Sequence, residues 1–329
     1  MKLFEEVSMR EAYGKELVRL GNENSNLIVL DADVSSSTRT ELFKEKYPER
    51  FFNVGVAEAN MADIAAGMAL CGLKPVVNSF AVFLALKTIE QIRNMICYNK
   101  LPIILAGSYS GLSDSYDGAS HHSIEDIAIM RVIPNMNVVV PADAIELIQA
   151  IRYIITMSEP VYIRICRNPV PIITKESDSF NFGKIKTIKE GKDITIASCG
   201  ITVSMAIKAA CKLNEKGITT DVLNVSTIKP LDEDTLIRSI QKTGRLLIVE
   251  EHSVIGGLRG AISEVLIKRN PVVSDFIGIN DTFTETGNYT ELLEKYQISA
   301  DSIVKKAIEL VSIPYNKIRN FSLNTIDKV

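Results

Sequence analysis

The sequence predicts an α/β protein made of two doubly wound α/β domains. Three observations carry this. Short apolar runs bounded by polar residues, as in strands buried on both faces, alternate with segments of helical period. A stretch around residues 172–191, PVPIITKESDSFNFGKIKTIKEG, loses that periodicity and gains Pro, Lys and Gly, as a linker does. The length of 329 residues suits about two domains. We expect one domain over residues 1–175, a second and smaller one over 190–312, and a polar, aperiodic tail over 313–329.

In chain order, residues 9–22 read as a helix and NLIVLD as a buried strand ending in the polar loop DADVSSSTRT, which holds several possible helix caps. The strand FFNVGV leads into an alanine-rich helix headed by Glu58. KPVVNSF is the next strand, followed by the start of a helix and a further helical run from Lys87 to Tyr98. LPIILAG is a strand that opens into the long loop SYSGLSDSYDGASHHS. The helix IEDIAIMR, the strand NVVVP, a helix after a cap region at Asp143 and the strand VYIRIC complete the first half. In the second half DITIASC, TTDVLNV, RLLIVEE and SDFIGI read as strands. Helices are expected to start near Thr202, Asp232, Gly256 and Ser302, with Asp232 and Ser302 as caps.

Composition bounds the function. Hydrophobic residues make up 46% and charged residues 23%, with a net charge of −3, an ordinary globular balance with no basic excess for nucleic acid or an anionic membrane. No apolar run approaches the ~20 residues of a membrane span, and the charged N-terminal segment does not resemble a signal peptide. The five cysteines are scattered without C-x-x-C spacing, so we expect neither a metal site nor a disulfide framework, and a cytoplasmic location.

Ligands of doubly wound sheets sit beyond the carboxyl ends of the strands. Glu58, Phe80, Phe83 and the loop of residues 108–123 all fall at such ends. Glu58 is either a charge favoured by the helix dipole or a functional acid in a dry place. The three histidines, His121, His122 and His252, also fall at strand ends, where they are surface residues or proton carriers. Arg164 and Arg167 end another strand, as ion-pair partners or as a bidentate anion site. The P-loop, the dinucleotide fingerprint, the nucleophile elbow and the G-D-G diphosphate motif are missing.

Taken together, VGVAEANM, the A-x-G-x-x-x-x-G-x-K-P-V that follows, NSFAVF, DGASHHSIEDIA and EEHSVIGGL resemble the transketolase superfamily. The resemblance runs from about residue 5 to about residue 312, in the order and spacing of its C-terminal half. It implies a pyrimidine-binding domain followed by a transketolase C-terminal domain, as in the C-terminal subunits of split, two-chain transketolases. It also implies a transferase active only with a partner, an N-terminal subunit that carries the diphosphate-binding domain, in a heterotetramer with two copies of each chain. The implied cofactors are thiamine diphosphate and Mg²⁺, the diphosphate and metal held mainly by the partner. The implied substrates are a ketose donor and an aldehyde acceptor. Glu58 would hold the proton at N1′ of the aminopyrimidine, with Phe83 stacked on that ring and Phe80 as the second aromatic. Asp117 and His121 would meet substrate oxygens, His121 as a catalytic group, and Arg167 the anionic end.

The departures concern the substrate. The loop that usually reads S-H-A-G is Ser108-Tyr109-Ser110-Gly111, so Tyr109 stands where a histidine would help to hold the sugar phosphate. The frequent G-E-D-G is Ser115-Tyr116-Asp117-Gly118, and the usual glutamines after the glutamate and the histidine are Ala59 and His122. A tyrosine common one turn after the aromatic pair is Leu86. The expected donor is a sugar phosphate or, as these changes suggest, a modified ketose, sulfonated or branched. The β subunits of 2-oxo acid dehydrogenases share part of the pattern but match DGASHHSIEDIA poorly. 1-Deoxyxylulose-5-phosphate synthase shares more but is normally one chain. A non-catalytic partner subunit would have no need of the Glu58, Phe83, Asp117 and His121 set.

Overall fold

The computed structural model describes residues 5–314. The expected tail lies outside the described residues from 315 onward.

Two mainly parallel sheets carry the chain. The first has seven strands in the order Thr227–Lys229, Asn137–Val139, Val161–Ile165, Ile104–Ser108, Lys74–Phe80, Leu27–Asp31 and Phe51–Asn53. The second has five, in the order Val273–Ile279, Arg245–Ser253, Ile194–Ser198, Thr220–Asn224 and Lys186–Lys189. The central strands are buried along their whole length, and helices cover both faces. Every strand expected from the sequence is present.

The differences are local and have physical causes. Thr227–Lys229 leaves the second half of the chain and pairs antiparallel with Asn137–Val139, closing one edge of the first sheet. Three residues carry too little period to announce a strand whose partner lies about ninety positions away. Lys186–Lys189, inside the expected linker region, pairs antiparallel with Thr220–Asn224. The expected helix from Lys87 to Tyr98 is a single turn, Ile89–Gln91, followed by a π-helical stretch, Ile92–Cys97. Asp143 and Asp232 cap their helices as expected, accepting from Glu146 N and Thr235 N. The last helix, Ala300–Ser312, is capped by Ser299, and Ser302 supplies the backbone N–H that this cap receives.

Register places the site. Phe80 lies opposite Ser108, and Ser108 opposite Ile165, so three adjacent strands end level. The residues just beyond them, Tyr109 and Arg167 among them, share one rim.

A buried polar cluster joins this rim to the second sheet. Arg164 donates to both oxygens of Asp126, at 2.9 and 3.0 Å, to Ser123 O at 2.8 Å and to Glu251 O at 2.9 Å. Tyr162 donates to Asp126 Oδ2 at 2.7 Å. Gly107 makes room for it, because a Cβ there would stand 2.8 Å from the Tyr162 ring. Burial opposes the charge on Asp126, but Arg164 outweighs it and holds the carboxyl below its ordinary range. Arg164 is therefore committed to structure.

Removing one partner of such a pair leaves the other buried and unpaired. Asp126→Ala should destabilise the protein by about 3–5 kcal/mol. The check is a large fall in the thermal unfolding midpoint. A midpoint within a degree or two of wild type would show that the pair does not hold the domains.

Candidate active site

The helix Glu58–Leu70 starts at the rim. Its N-cap, Ala57, offers no side-chain acceptor, so the first turn is completed without a capping hydroxyl or carboxylate. Glu58, the first helical residue, is only 4% exposed, and its Oε1 accepts from Lys87 Nζ at 2.9 Å. The Lys87 ammonium also stands 4.1 Å from the centre of the Phe83 ring. Lys87 drew no notice in the sequence, where it reads as one more exposed lysine.

Phe83 lies on the short helix Ala81–Leu86, directly after the strand that ends in Phe80. The two rings are 5.9 Å apart and nearly parallel. His121 meets both edge-on, its ring 5.1 Å from Phe83 and 6.3 Å from Phe80. Its Nδ1 lies 3.0 Å from Ser120 Oγ. On the other side Tyr109 stacks on Phe80 with 4.4 Å between centroids. Tyr109 has a φ of +61°, a left-handed conformation that is costly for a bulky residue. The Phe80 stack and a hydrogen bond from Arg10 Nη1 to its hydroxyl, at 2.9 Å, hold it there.

Two guanidiniums flank Tyr109. Arg167 stands 4.9 Å and Arg10 5.7 Å from the ring centre. Arg10 also donates to Ser37 O at 3.1 Å, while its buried Nε has no acceptor. Arg167 donates to Asp114 Oδ1 at 3.1 Å. Burial and the adjacent Asp117 push Asp114 up to about 7, against the pull of Arg167. Arg10 was not legible as a site residue, because in MREAYGKELVRL an arginine reads as part of the solvated face.

Phe80, Phe83 and His121 thus touch directly. Glu58 joins them through Lys87, and Arg167 through Tyr109. Asp117 stands apart, exposed at a tight turn closed by Asp117 N donating to Asp114 O at 2.9 Å. The segment after the last strand of the second sheet holds this loop. Gly287 N donates to Ser115 O at 3.1 Å, and a Cβ on Gly118, whose φ is +78°, would stand 2.5 Å from Thr286 Oγ1.

The other two histidines face away from the ring cluster. His122 is buried, with Nδ1 2.6 Å from Thr284 Oγ1, and desolvation lowers its pKa. His252 is fully buried. Its Nδ1 lies 2.7 Å from Ser253 O and 3.7 Å from Glu250 Oε2, and its Nε2 lies 3.4 Å from Ala128 N. No group of three or more His, Cys, Asp or Glu residues able to hold a metal occurs among the described residues, and no helix there is long and apolar enough to cross a membrane.

The donor set suits a flat heteroaromatic ring with one nitrogen to pair with a buried carboxylate. Phe83 and the buried Glu58 both border the Lys87 ammonium, and the His121 ring stands edge-on to Phe83.

Residues 5–172 match the model of the transketolase pyrimidine-binding domain, and residues 183–303 that of the transketolase C-terminal domain. The chain is 42% identical to a putative transketolase C-terminal section of Methanocaldococcus jannaschii, over 92% of this chain and 95% of that protein. It is 39% identical to a 6-deoxy-6-sulfo-D-fructose transketolase subunit of a Clostridium species, over 93% of this chain and 95% of that one. Among solved structures, a split-gene transketolase described as an inactive β4 tetramer superposes with a TM-score of 0.87 at 43% identity, covering 93% of this chain and 99% of that one. The chain belongs to the transketolase family, and it carries that family's pyrimidine-binding and C-terminal domains.

Proposed function

We propose that this chain is the C-terminal subunit of a two-chain, thiamine-diphosphate-dependent transketolase, which moves a two-carbon ketol unit from a ketose donor to an aldose acceptor. The observation that carries this reading is the unbroken run from Glu58 through Phe83, His121, Phe80 and Tyr109 to Arg167. An acid, a stacking face, a hydrogen-bonding group and a cation in that order would suit a ring and a sugar with a charged end. Residues 1–175 and 190–312 act as the two functional units. The partner, an N-terminal transketolase subunit, holds the diphosphate and Mg²⁺, and two copies of each chain assemble in a reducing cytoplasm.

Thiamine diphosphate supplies the carbon nucleophile that takes up the two-carbon unit. Glu58 holds a proton at N1′ of the aminopyrimidine, a task suited to a carboxylate already withdrawn from water. Lys87 neutralises Glu58 until that ring arrives; its half-exposed, flexible side chain lets it move aside. Phe83 supports the ring face and Phe80 backs it. His121 donates to a substrate oxygen whose charge changes during C–C cleavage, and Asp117 receives a substrate hydroxyl. Arg167 meets the anionic far end, with Arg10 as a second cation. The relative that acts on a sulfo sugar favours a donor with a modified end, as do Tyr109 and the altered Ser115-Tyr116 segment.

Glu58→Gln keeps the shape and removes the acid. In the reconstituted complex it should slow turnover by ~10²-fold or more, the range for a lost acid or base, with no change in unfolding temperature. A rate near wild type would refute the assignment. Phe83→Ala should instead loosen cofactor retention, by ~0.5–1.5 kcal/mol beyond the area lost, and calorimetry of the complex reads this directly.

His121 and Arg167 should fail in different ways. His121→Ala should lower kcat and kcat/KM together, the mark of an interaction made mainly in the transition state. Arg167→Ala should raise KM with kcat nearly unchanged, and Arg167→Lys should not restore a two-point contact. Steady-state kinetics with one anionic and one neutral ketose separates these outcomes. Equal damage to both donors in Arg167→Ala would make the arginine structural.

A further inference from the structure

The two guanidiniums at Tyr109 differ in their neighbours. Arg10 donates to two uncharged oxygens, the Tyr109 hydroxyl and the Ser37 carbonyl. Arg167 donates to Asp114, a carboxylate that is fully buried and whose second oxygen, Oδ2, meets no donor. The close acidic neighbour of Asp114 is Asp117, and the two carboxyls share a hydrogen bond only when one of them carries a proton. A carboxylate removed from water and left half satisfied is costly for the fold. Its effect falls on Arg167, the cation at the far end of the rim.

We propose that Asp114 is a specificity-determining residue, which cancels one of the two positive charges at the distal pocket and fits it to a donor whose far end carries a single negative charge. This rests on the reading of Arg167 as the partner of the distal anion. Asp117 is exposed and screened by water, so the two guanidiniums and Asp114, while it is ionised, leave one net positive charge. A sulfonate carries one negative charge, whereas a phosphate monoester carries about 1.5–2 near pH 7. The surplus charge of the phosphate would face Asp114 at short range and partly shielded from water, where like charges repel most.

The charged groups facing Asp114 are Arg167 and Asp117, and the His122 ring lies against its backbone. With its carboxyl raised to about 7, Asp114 takes up a proton as the pH falls through neutrality and releases Arg167 for the substrate. A sulfonate does not titrate in that range, so its binding reports the protein alone.

The test uses the reconstituted complex, with wild-type chain, Asp114→Asn and Asp114→Ser. The donors are two ketoses of one carbon skeleton, ending in a phosphate or in a sulfonate, plus a neutral ketose. Both Asp114 variants should raise kcat/KM for the phosphate donor relative to the sulfonate donor, by roughly fivefold or more. In wild type the KM for the sulfonate donor should fall as the pH is lowered from about 8 to about 6, and this slope should vanish in Asp114→Asn. Unfolding temperatures of the isolated chains verify that each variant folds. An unchanged phosphate-to-sulfonate ratio in both folded variants overturns the inference, even if Arg167→Ala harms only the charged donors. If Arg167→Ala harms the neutral ketose equally, the distal-site reading itself fails and this inference falls with it.

Discussion

The structure depends on one buried guanidinium. Arg164 leaves the central part of the first sheet and binds, at once, the helix that starts at Asp126, the Ser123 end of the long loop and the Glu251 carbonyl of the second sheet. An arginine hidden from water needs every donor met, so its partners are fixed together or not at all. The loop that carries Asp114, Asp117 and His121 is thereby pinned at one end. The second sheet is set against the first at the height of the strand rim. Glu251 adds to the junction by accepting from Leu112 N at 2.9 Å and from the Tyr289 hydroxyl at 3.0 Å, with its carboxyl pushed up to about 7 by burial.

From that frame the rest of the site follows by geometry. Parallel strands that end level put Phe80, Tyr109 and Arg167 side by side, and the helix after Asn53 brings Glu58 to the same rim. The aromatic rings form the floor, a carboxylate stands at one end and two guanidiniums at the other. The strained Tyr109 connects the ends, stacked on Phe80 and flanked by Arg10 and Arg167. The loop of residues 108–123 rests on the segment around Thr284–Gly287 and on Glu251 of the second sheet, so the second domain shapes the rim. That is a physical reason for the two domains to travel in one chain.

Much of this was legible before any coordinates. Leu27–Asp31, Lys74–Phe80 and Val161–Ile165 announce themselves because strands buried on both faces must be continuously apolar. Glu58, Phe80, Phe83 and His121 stand out because their chemistry sits at strand ends, where a doubly wound sheet binds its ligands. What escaped notice depends on distant partners. Arg10 becomes a site residue only because Tyr109 turns back to meet it, through a backbone conformation that no local pattern foretells. Thr227–Lys229 is a strand only because Asn137–Val139 offers it an edge. Arg164 and Arg167 look alike in sequence, yet Arg164 is buried against Asp126 while Arg167, paired with Asp114, stays a third exposed.

The central claim is that this chain supplies the seat for the aminopyrimidine and a partner supplies the hold on the diphosphate and its metal. Calorimetric titration of thiamine diphosphate with Mg²⁺ tests it most directly, first into this chain alone and then into the chain mixed with an N-terminal transketolase subunit. The account predicts weak binding that does not depend on Mg²⁺ for the chain alone, and tight Mg²⁺-dependent binding for the mixture, because the oxygen ligands that Mg²⁺ requires would come from the partner. Tight, Mg²⁺-dependent binding to the isolated chain would contradict it.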